Sequence, residues 1–310
     1  MPAPRQITYL TRKEIDTVKW DNCIDTAGNG LIYAYSFYLD TMAENWDALV
    51  CESENKYATV MPLTWKKKYG ISYLYQPAFT ASLGVFSEKT DKELVEQFIK
   101  SIPSKFRLIE IDLNTSNYFE DSGIQFFLRK NYVLNLNFSF DSLYSQYREN
   151  HKRNISKAQQ LGCIVKTGIP VEEIIRLSHE FMKNVSHLTR KEYDRFTKLY
   201  TLLQEKGETE TYGIYKENDE LMASAVFFFS HHRAYYILVG NHPDGRTIGA
   251  SHALINAFIK NHAGENLQLD FEGSDIRNLA HFYFGFGANE EIYPALRINR
   301  LPWYIRWMKK

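Results

Sequence analysis

Disulfides, long apolar runs and surplus charge are all missing from this sequence, and each absence narrows what the chain can be. Cysteine occurs three times in 310 residues, at Cys23, Cys51 and Cys163. An odd number of widely spaced thiols forms neither a disulfide framework nor a metal-ligand cluster. Reduced thiols in a cytoplasmic protein without a bound metal are therefore expected. No stretch reaches the roughly 18 consecutive apolar residues of a membrane span. The start, Met1-Pro2-Ala3-Pro4-Arg5, lacks the apolar run of a secretory signal. Without one, the Asn-x-Ser/Thr triplets at Asn114, Asn154 and Asn184 read as chance matches. Lys plus Arg and Asp plus Glu both number 37. That balance gives no global attraction to nucleic acid or anionic membrane and leaves only local patches.

What is present is aromatic and periodic. Tyr and Phe number 21 and 20, and aromatic residues make up 15% of the chain, enough to build large cores and line concave sites. The length suits one large domain or two medium ones, with a core that needs no covalent staple. A helix is expected over residues 11–26, capped by Thr11 with Glu14 three positions on, and another over 36–45. Strand-like runs follow at 46–53, 57–65 and 71–75. Residues 91–102 are amphipathic, with Leu94, Val95, Phe98 and Ile99 on one face. Residues 106–113 alternate like a strand, and 126–140 hold further strand material. The order then returns. Helices are expected over 171–184 and 193–203, and strands over 209–215, 221–230 and 233–239. A turn at 241–245 leads to a helix over 251–262, with Leu254, Ile255, Phe258 and Ile259 on one face, and a strand over 267–271. His231-His232, between two strands, is read as an exposed hairpin turn and not as a ligand pair.

Asp112 and Asp270 each end a strand that follows an amphipathic helix, and they stand 158 residues apart. Nearly the same offset relates the hairpin at 58–75 to that at 223–237. An internal duplication is expected; the alternative is an αβ order of the kind that recurs in many chains. The expected architecture is α/β (α+β): two tandem lobes, residues 1–150 and 151–310, each a mixed sheet flanked by helices. The joining region, residues 144–161, is helical in propensity, and Gly162 suits its C-terminal cap. Arg148, His151, Lys152, Arg153 and Lys157 form a local cationic patch there. It is either a solvated helix face or a contact for phosphate on a cofactor or tRNA.

The segment after residue 241 carries the clearest chemistry. A strand ends, a glycine turn follows, and a helix begins near Ala250. The first N–H groups of a helix have no partner within it and attract phosphate. Gly249, Ala250 and Ser251 are small enough for close approach, Arg246 adds charge, and Thr247 and Ile248 complete the turn. The alternative is an ordinary capped turn. In the first lobe the corresponding run, Gln76-Pro77-Ala78-Phe79, has a proline without an N–H and a bulky phenyl. Gln76 and Phe79, together with Arg153, are expected on the acceptor side. Asp270 and Glu272 lie two apart at a strand end, so they share a face, where mutual repulsion would favour one as a base near neutral pH. The alternative is one helix cap and one solvated acid. Tyr283, in the helix beyond, is either a general acid or a core aromatic.

Arg246-x-x-Gly249-x-Ser251 is similar to the acetyl-CoA loop of GNAT acyltransferases, Gln/Arg-x-x-Gly-x-Gly/Ala, with Ser at the last small position. Tyr283-Phe-Gly-Phe-Gly287 resembles the GNAT Tyr-x-x-x-Gly segment, whose Tyr often protonates the leaving thiolate. Ala288 stands where Phe is usual, and the upstream Asn is out of phase at Asn278. A wider resemblance, to FemAB-like proteins with their two GNAT-like lobes, covers most of the chain. It is carried by Trp20-Asp21, Gly30-Leu-Ile-Tyr-Ala-Tyr, Trp46-Asp-Ala-Leu-Val, Val60-Met-Pro-Leu and Gln76-Pro-Ala-Phe-Thr-Ala-Ser-Leu-Gly. In the second half it is carried by His151-Lys-Arg-Asn-Ile-Ser-Lys-Ala-Gln-Gln-Leu-Gly, Leu269-Asp-Phe-Glu-Gly and Phe282-Tyr-Phe-Gly-Phe-Gly. The resemblance implies an N-acyltransferase. An acyl-CoA or aminoacyl-tRNA donor would sit in the second lobe, with an amine acceptor, a small molecule or a cell-envelope precursor, between the lobes. Tyr283 replaces the family lysine, Glu272 replaces the first glycine after Asp-Phe, and no long helical hairpin for tRNA is visible. These departures favour acyl-CoA over aminoacyl-tRNA. They also keep open a non-catalytic ligand-binding or assembly role on the same fold.

Overall fold

The structure is a computed structural model that describes residues 6–181, 188–273 and 277–303. In chain order its elements begin with β1 (Ile7–Thr11), α1 (Thr17–Thr26), α2 (Ser36–Met42), β2 (Asn45–Ser53), β3 (Lys56–Lys68) and β4 (Ile71–Leu74). β5 (Phe86–Ser87), α3 (Lys92–Lys100), β6 (Phe106–Asp112), β7 (Phe127–Asn135), α4 (Phe140–Ser145) and α5 (Glu149–Gln160) follow. Next are β8 (Ile164–Thr167), α6 (Val171–Phe181), α7 (Arg190–Glu205), β9 (Thr209–Tyr215), β10 (Leu221–Ser230) and β11 (Arg233–Asn241). The last are α8 (Pro243–Ile248), α9 (Ala250–His262), β12 (Gln268–Asp270), α10 (Arg277–Phe284) and β13 (Asn289–Asn299).

The chain divides into two compact units, Met1–Arg129 with Ile292–Lys310, and Lys130–Glu291. In the first unit the strand order is β1-β2-β3-β4-β6-β13, antiparallel throughout except for the parallel pair β4–β6. In the second the order is β8-β9-β10-β11-β12-β7, antiparallel except for the parallel pair β11–β12. Order and sense are the same in both. Each unit also places two helices between its first and second strands and a helix before its fifth. The sixth strand departs from sequence order. β7 follows β6 in the chain yet pairs with β12, while β13, near the chain's end, pairs with β6. The compact units therefore differ from a single cut after residue 150, because each takes its last strand from the other half of the sequence.

Local chemistry explains most element ends. Three hairpins close with two residues, Glu54-Asn55, Tyr69-Gly70 and His231-His232, and all six residues have positive φ. This is the backbone of a turn whose twist matches paired strands. Asp91 caps α3 through Leu94 N–H, and the helix buries Leu94, Val95, Phe98 and Ile99 in the first unit's core. α9 does the same in the second unit with Leu254, Ile255, Phe258 and Ile259. Phe258 stacks on Phe227 at 3.8 Å between ring centroids. Each such side chain contributes about 1.5–3 kcal/mol by leaving water.

Several expected boundaries move. Thr11 and Glu14 do form the anticipated hydrogen bond, 2.6 Å between Oγ1 and Oε2, but as a turn that ends β1. The helix starts at Thr17, capped by Asp16, whose carboxylate accepts from the N–H groups of Val18 and Lys19. The single joining helix over 144–161 is two helices, broken where Arg148 N–H turns to the carbonyl of Gly285 at 2.9 Å. Gly162 does close α5, at φ +69°. The helix expected over 171–184 is present to Phe181; its remaining residues, with the Asn184 triplet, lie outside the described residues.

Candidate functional site

The predicted donor residues lie in the second unit, around the parallel pair β11–β12. That pairing runs only from Arg233–Gln268 to Tyr235–Asp270. β11 continues to Asn241, while the chain leaves β12 at Phe271. The β12-side edge of residues 236–241 thus meets no strand among the described residues, and its N–H and C=O groups are free to pair with an extended ligand.

At the open end of that edge lies the α8–α9 turn. Gly249 caps α9 at φ +80°. A Cβ there would stand 2.3 Å from the backbone oxygen of Asn154, so the missing side chain lets α5 cross the start of α9. Ala250 is buried, and Ile248 and Ser251 are half-buried. Ser251 Oγ donates to Asn241 Oδ1 at 2.7 Å. Arg246 and Thr247 are exposed on α8, and Arg153 is exposed on α5, which packs against α8 and α9. What the turn offers an anion is therefore its outer side.

Where α5, α9 and α10 meet, His151 and His252 contact edge to face, 4.6 Å between ring centroids. Phe282 and Phe286 complete the enclosure, at 5.5 and 4.5 Å from the His151 ring. A Cβ on Gly285 would lie 2.1 Å from that ring. His151 Nε2 donates to the Phe282 carbonyl at 2.8 Å, which fixes the tautomer and leaves Nδ1 as an acceptor with no partner among the described residues. Burial lowers both pKa values, helped at His151 by Arg148 and at His252 by His151, so that His252 falls to about 4. His151 is thus a neutral, buried ring and not part of a cationic patch. The sequence reading missed this pair, because nothing in the chain order links positions 151 and 252.

The two carboxylates have different surroundings. Asp270 is buried. Its Oδ2 accepts from Arg233 Nη1 at 2.6 Å, and its Oδ1 accepts from Asn131 Nδ2 at 2.9 Å and from the Glu272 N–H at 2.8 Å. With three donors on it, Asp270 anchors the strand end. Glu272 is half-buried, at φ +59°. Tyr283 is buried and stacked on Phe271 at 4.5 Å. Burial, then the charge of Glu272, raises its pKa and keeps the phenol protonated. Tyr236 is raised too, by burial and by Tyr283, so the three side chains lie within electrostatic reach of one another.

In the first unit Gln76 is a clasp. Its Oε1 accepts from Asp112 N–H at 3.0 Å and its Nε2 donates to the Thr80 carbonyl at 2.9 Å. Phe79 is half-buried at φ +55°, and its carbonyl accepts from the Tyr38 hydroxyl. Asp112 binds Arg129 at 2.6 Å and Arg297 at 2.9 Å. It is thus an anchor like Asp270. Among the described residues no group of three or more His, Cys, Asp or Glu is placed to hold a metal.

A family model for the acetyltransferase (GNAT) domain matches residues 145–277. No curated protein matches the chain by sequence. Among solved structures the fold is similar to FemX, at 12% identity and a TM-score of 0.66, over 95% of this chain and 98% of that one. It is also similar to L-PGS from Bacillus licheniformis, at 11% identity and 0.53, over 94% and 95%. A tandem GNAT protein from the clavulanic acid biosynthesis pathway, solved without AcCoA, matches at 10% identity and 0.52, over 96% and 99%. At these identities the likeness is one of fold.

Proposed function

We propose that the chain is a GNAT-superfamily acyltransferase with a FemAB-like tandem fold and that it transfers an acyl group from acyl-CoA to an amine. The reading rests on the parting of β11 from β12 beyond Tyr235. An acyl-CoA arm carries amide groups that pair with such an edge as a strand would. Its pyrophosphate then reaches Arg246 and Thr247 at the outer side of the turn, with Arg153 on the neighbouring helix. Its thioester lies where the strands close, beside Glu272 and Tyr283. There the amine nitrogen attacks the thioester carbon and Glu272 takes its proton. The tetrahedral adduct collapses, the C–S bond breaks, and the thiolate takes a proton from Tyr283. The acceptor is a small amine or an amine-bearing cell-envelope precursor. A cytoplasmic site of action suits this donor, and no helix of the described residues is long and apolar enough to cross a membrane.

Calorimetric titration with acetyl-CoA tests the donor. Saturable binding that Arg246→Ala weakens about tenfold is expected, with about 2.7 kcal/mol of stabilisation at 100 times the dissociation constant. Binding of aminoacyl-tRNA with none of acetyl-CoA would replace this donor. Binding without turnover on any amine would favour the non-catalytic role.

A further inference from the structure

A cavity of about 640 Å³ opens in the second unit away from the turn described above. Its walls are residues 167–172, the later part of α7, the first residues of β9 and the last turn of α9. α9 has 13 residues. At about 1.5 Å per residue, His262 stands roughly 18 Å along the helix from Ala250. The cavity therefore belongs to the opposite end of the sheet and is independent of the acyl-transfer reading.

Its chemistry is one-sided. Among the described residues no lysine or arginine lines it; Glu172 and Glu210 do, and His262 is the basic group there. Glu210 Oε2 accepts from the Tyr212 hydroxyl at 3.1 Å and faces His262 Nε2 at 3.0 Å. Oε1 has no partner among the described residues. His262 is shared, because its Nδ1 faces Glu265 at 3.0 Å. The C-terminal parts of α7 and α9 contribute to the walls, and the carbonyl ends of helices favour cations. Tyr200 offers an aromatic wall, where an ammonium ion gains from the ring face, and Ile169 and Pro170 offer aliphatic surface. We propose that this cavity binds an aliphatic diammonium ion, with one ammonium on Glu210 Oε1 and the other toward Glu172. The volume lies within the range of small-ligand sites, and the two carboxylates sit on different walls, β9 and the first turn of α6.

A charge series at constant chain length tests this on the full-length protein at pH 7.5. 1,5-Diaminopentane, 1,5-pentanediol and glutarate are titrated by calorimetry. The diamine is expected to saturate the protein at least tenfold more tightly than the diol, and glutarate not to bind. Glu210→Gln should weaken the diamine at least tenfold. Glu172→Gln, at an exposed position outside the hydrogen-bond network, should weaken it about threefold and leave folding intact. Acetyl-CoA titration of the same variants should be unchanged, which separates this site from the donor site. No saturation by 10 mM diamine, equal affinity for diol and diamine, or full affinity in both variants overturns the proposal.

Discussion

Asp270 and Glu272 stand two positions apart in different surroundings, which residue type alone did not show. Asp270 is held by Arg233 and Asn131, and removing one member of a buried pair strands the other without solvent. Asp270→Ala should therefore cost about 3–5 kcal/mol in urea unfolding. Asp121→Ala should change nothing measurable, because its salt bridge to Lys92 at 2.6 Å lies at the surface. Glu272→Gln keeps shape and removes a base. It should lower kcat on an amine substrate by tenfold or more with acetyl-CoA affinity within twofold. Equal losses in both would make Glu272 a binding residue. The imidazoles set an acid limit. His252 is neutral in the fold down to about 4, against an ordinary 6.5. The unfolded chain binds the extra proton between those values, so stability falls as pH drops through that window. His262 has the opposite sign. Burial works against its charge, but Glu210 and Glu265 prevail and raise its pKa. Its contribution is full below about 6.5 and is lost as pH rises through the raised value. Chemical unfolding from pH 4 to 7 should show a shallower acid slope in His252→Phe than in the wild type. Coincident slopes would place the proton elsewhere.

At the scale of elements, the amphipathic helices and alternating strands were legible, and β9 and β10 begin and end where the pattern put them. Their hydrophobic period and their core face are the same fact. Starts and breaks were less legible. Thr11 and Glu14 carry the residue types of a helix start, yet the backbone between them turns instead, and Asp16 supplies the cap. α5 is bounded by a tertiary contact, Arg148 N–H to the Gly285 carbonyl, which no local propensity encodes. β13 escaped the sequence reading because Pro294 interrupts it and both of its faces carry apolar residues. The same logic gives Gly249 its role. A β-branched side chain there must adopt a left-handed φ and displace the Asn154 carbonyl. Gly249→Val should lose at least about 2 kcal/mol of stability, as read from the urea midpoint. An unchanged midpoint together with weakened acetyl-CoA binding would return the glycine to ligand approach.

For the molecule as a whole, the exchange of sixth strands decides which pieces can stand alone. Residues 130–291 hold the six-strand set of the second unit apart from the first residues of β7, whereas 151–310 lack β7 altogether and end on a strand whose register partner is β6. Expressed separately, 130–291 should unfold cooperatively and 151–310 should not, as circular dichroism and amide exchange would show; the reverse result would refute the exchange. The sequence by itself determined the repeat of helix–helix–strand order, the core faces of α3 and α9, the His231-His232 turn, and the Asp112–Asp270 offset that marks matching strand ends. These follow from short-range periodicity and turn chemistry, which lie within a few residues of chain. Only the tertiary structure decided that both aspartates are anchors, that α5 covers Gly249, that His151 meets His252, and that each unit borrows its last strand. Each of these is a contact between residues far apart in sequence, and burial, not residue type, sets what a carboxylate, an imidazole or a glycine does there.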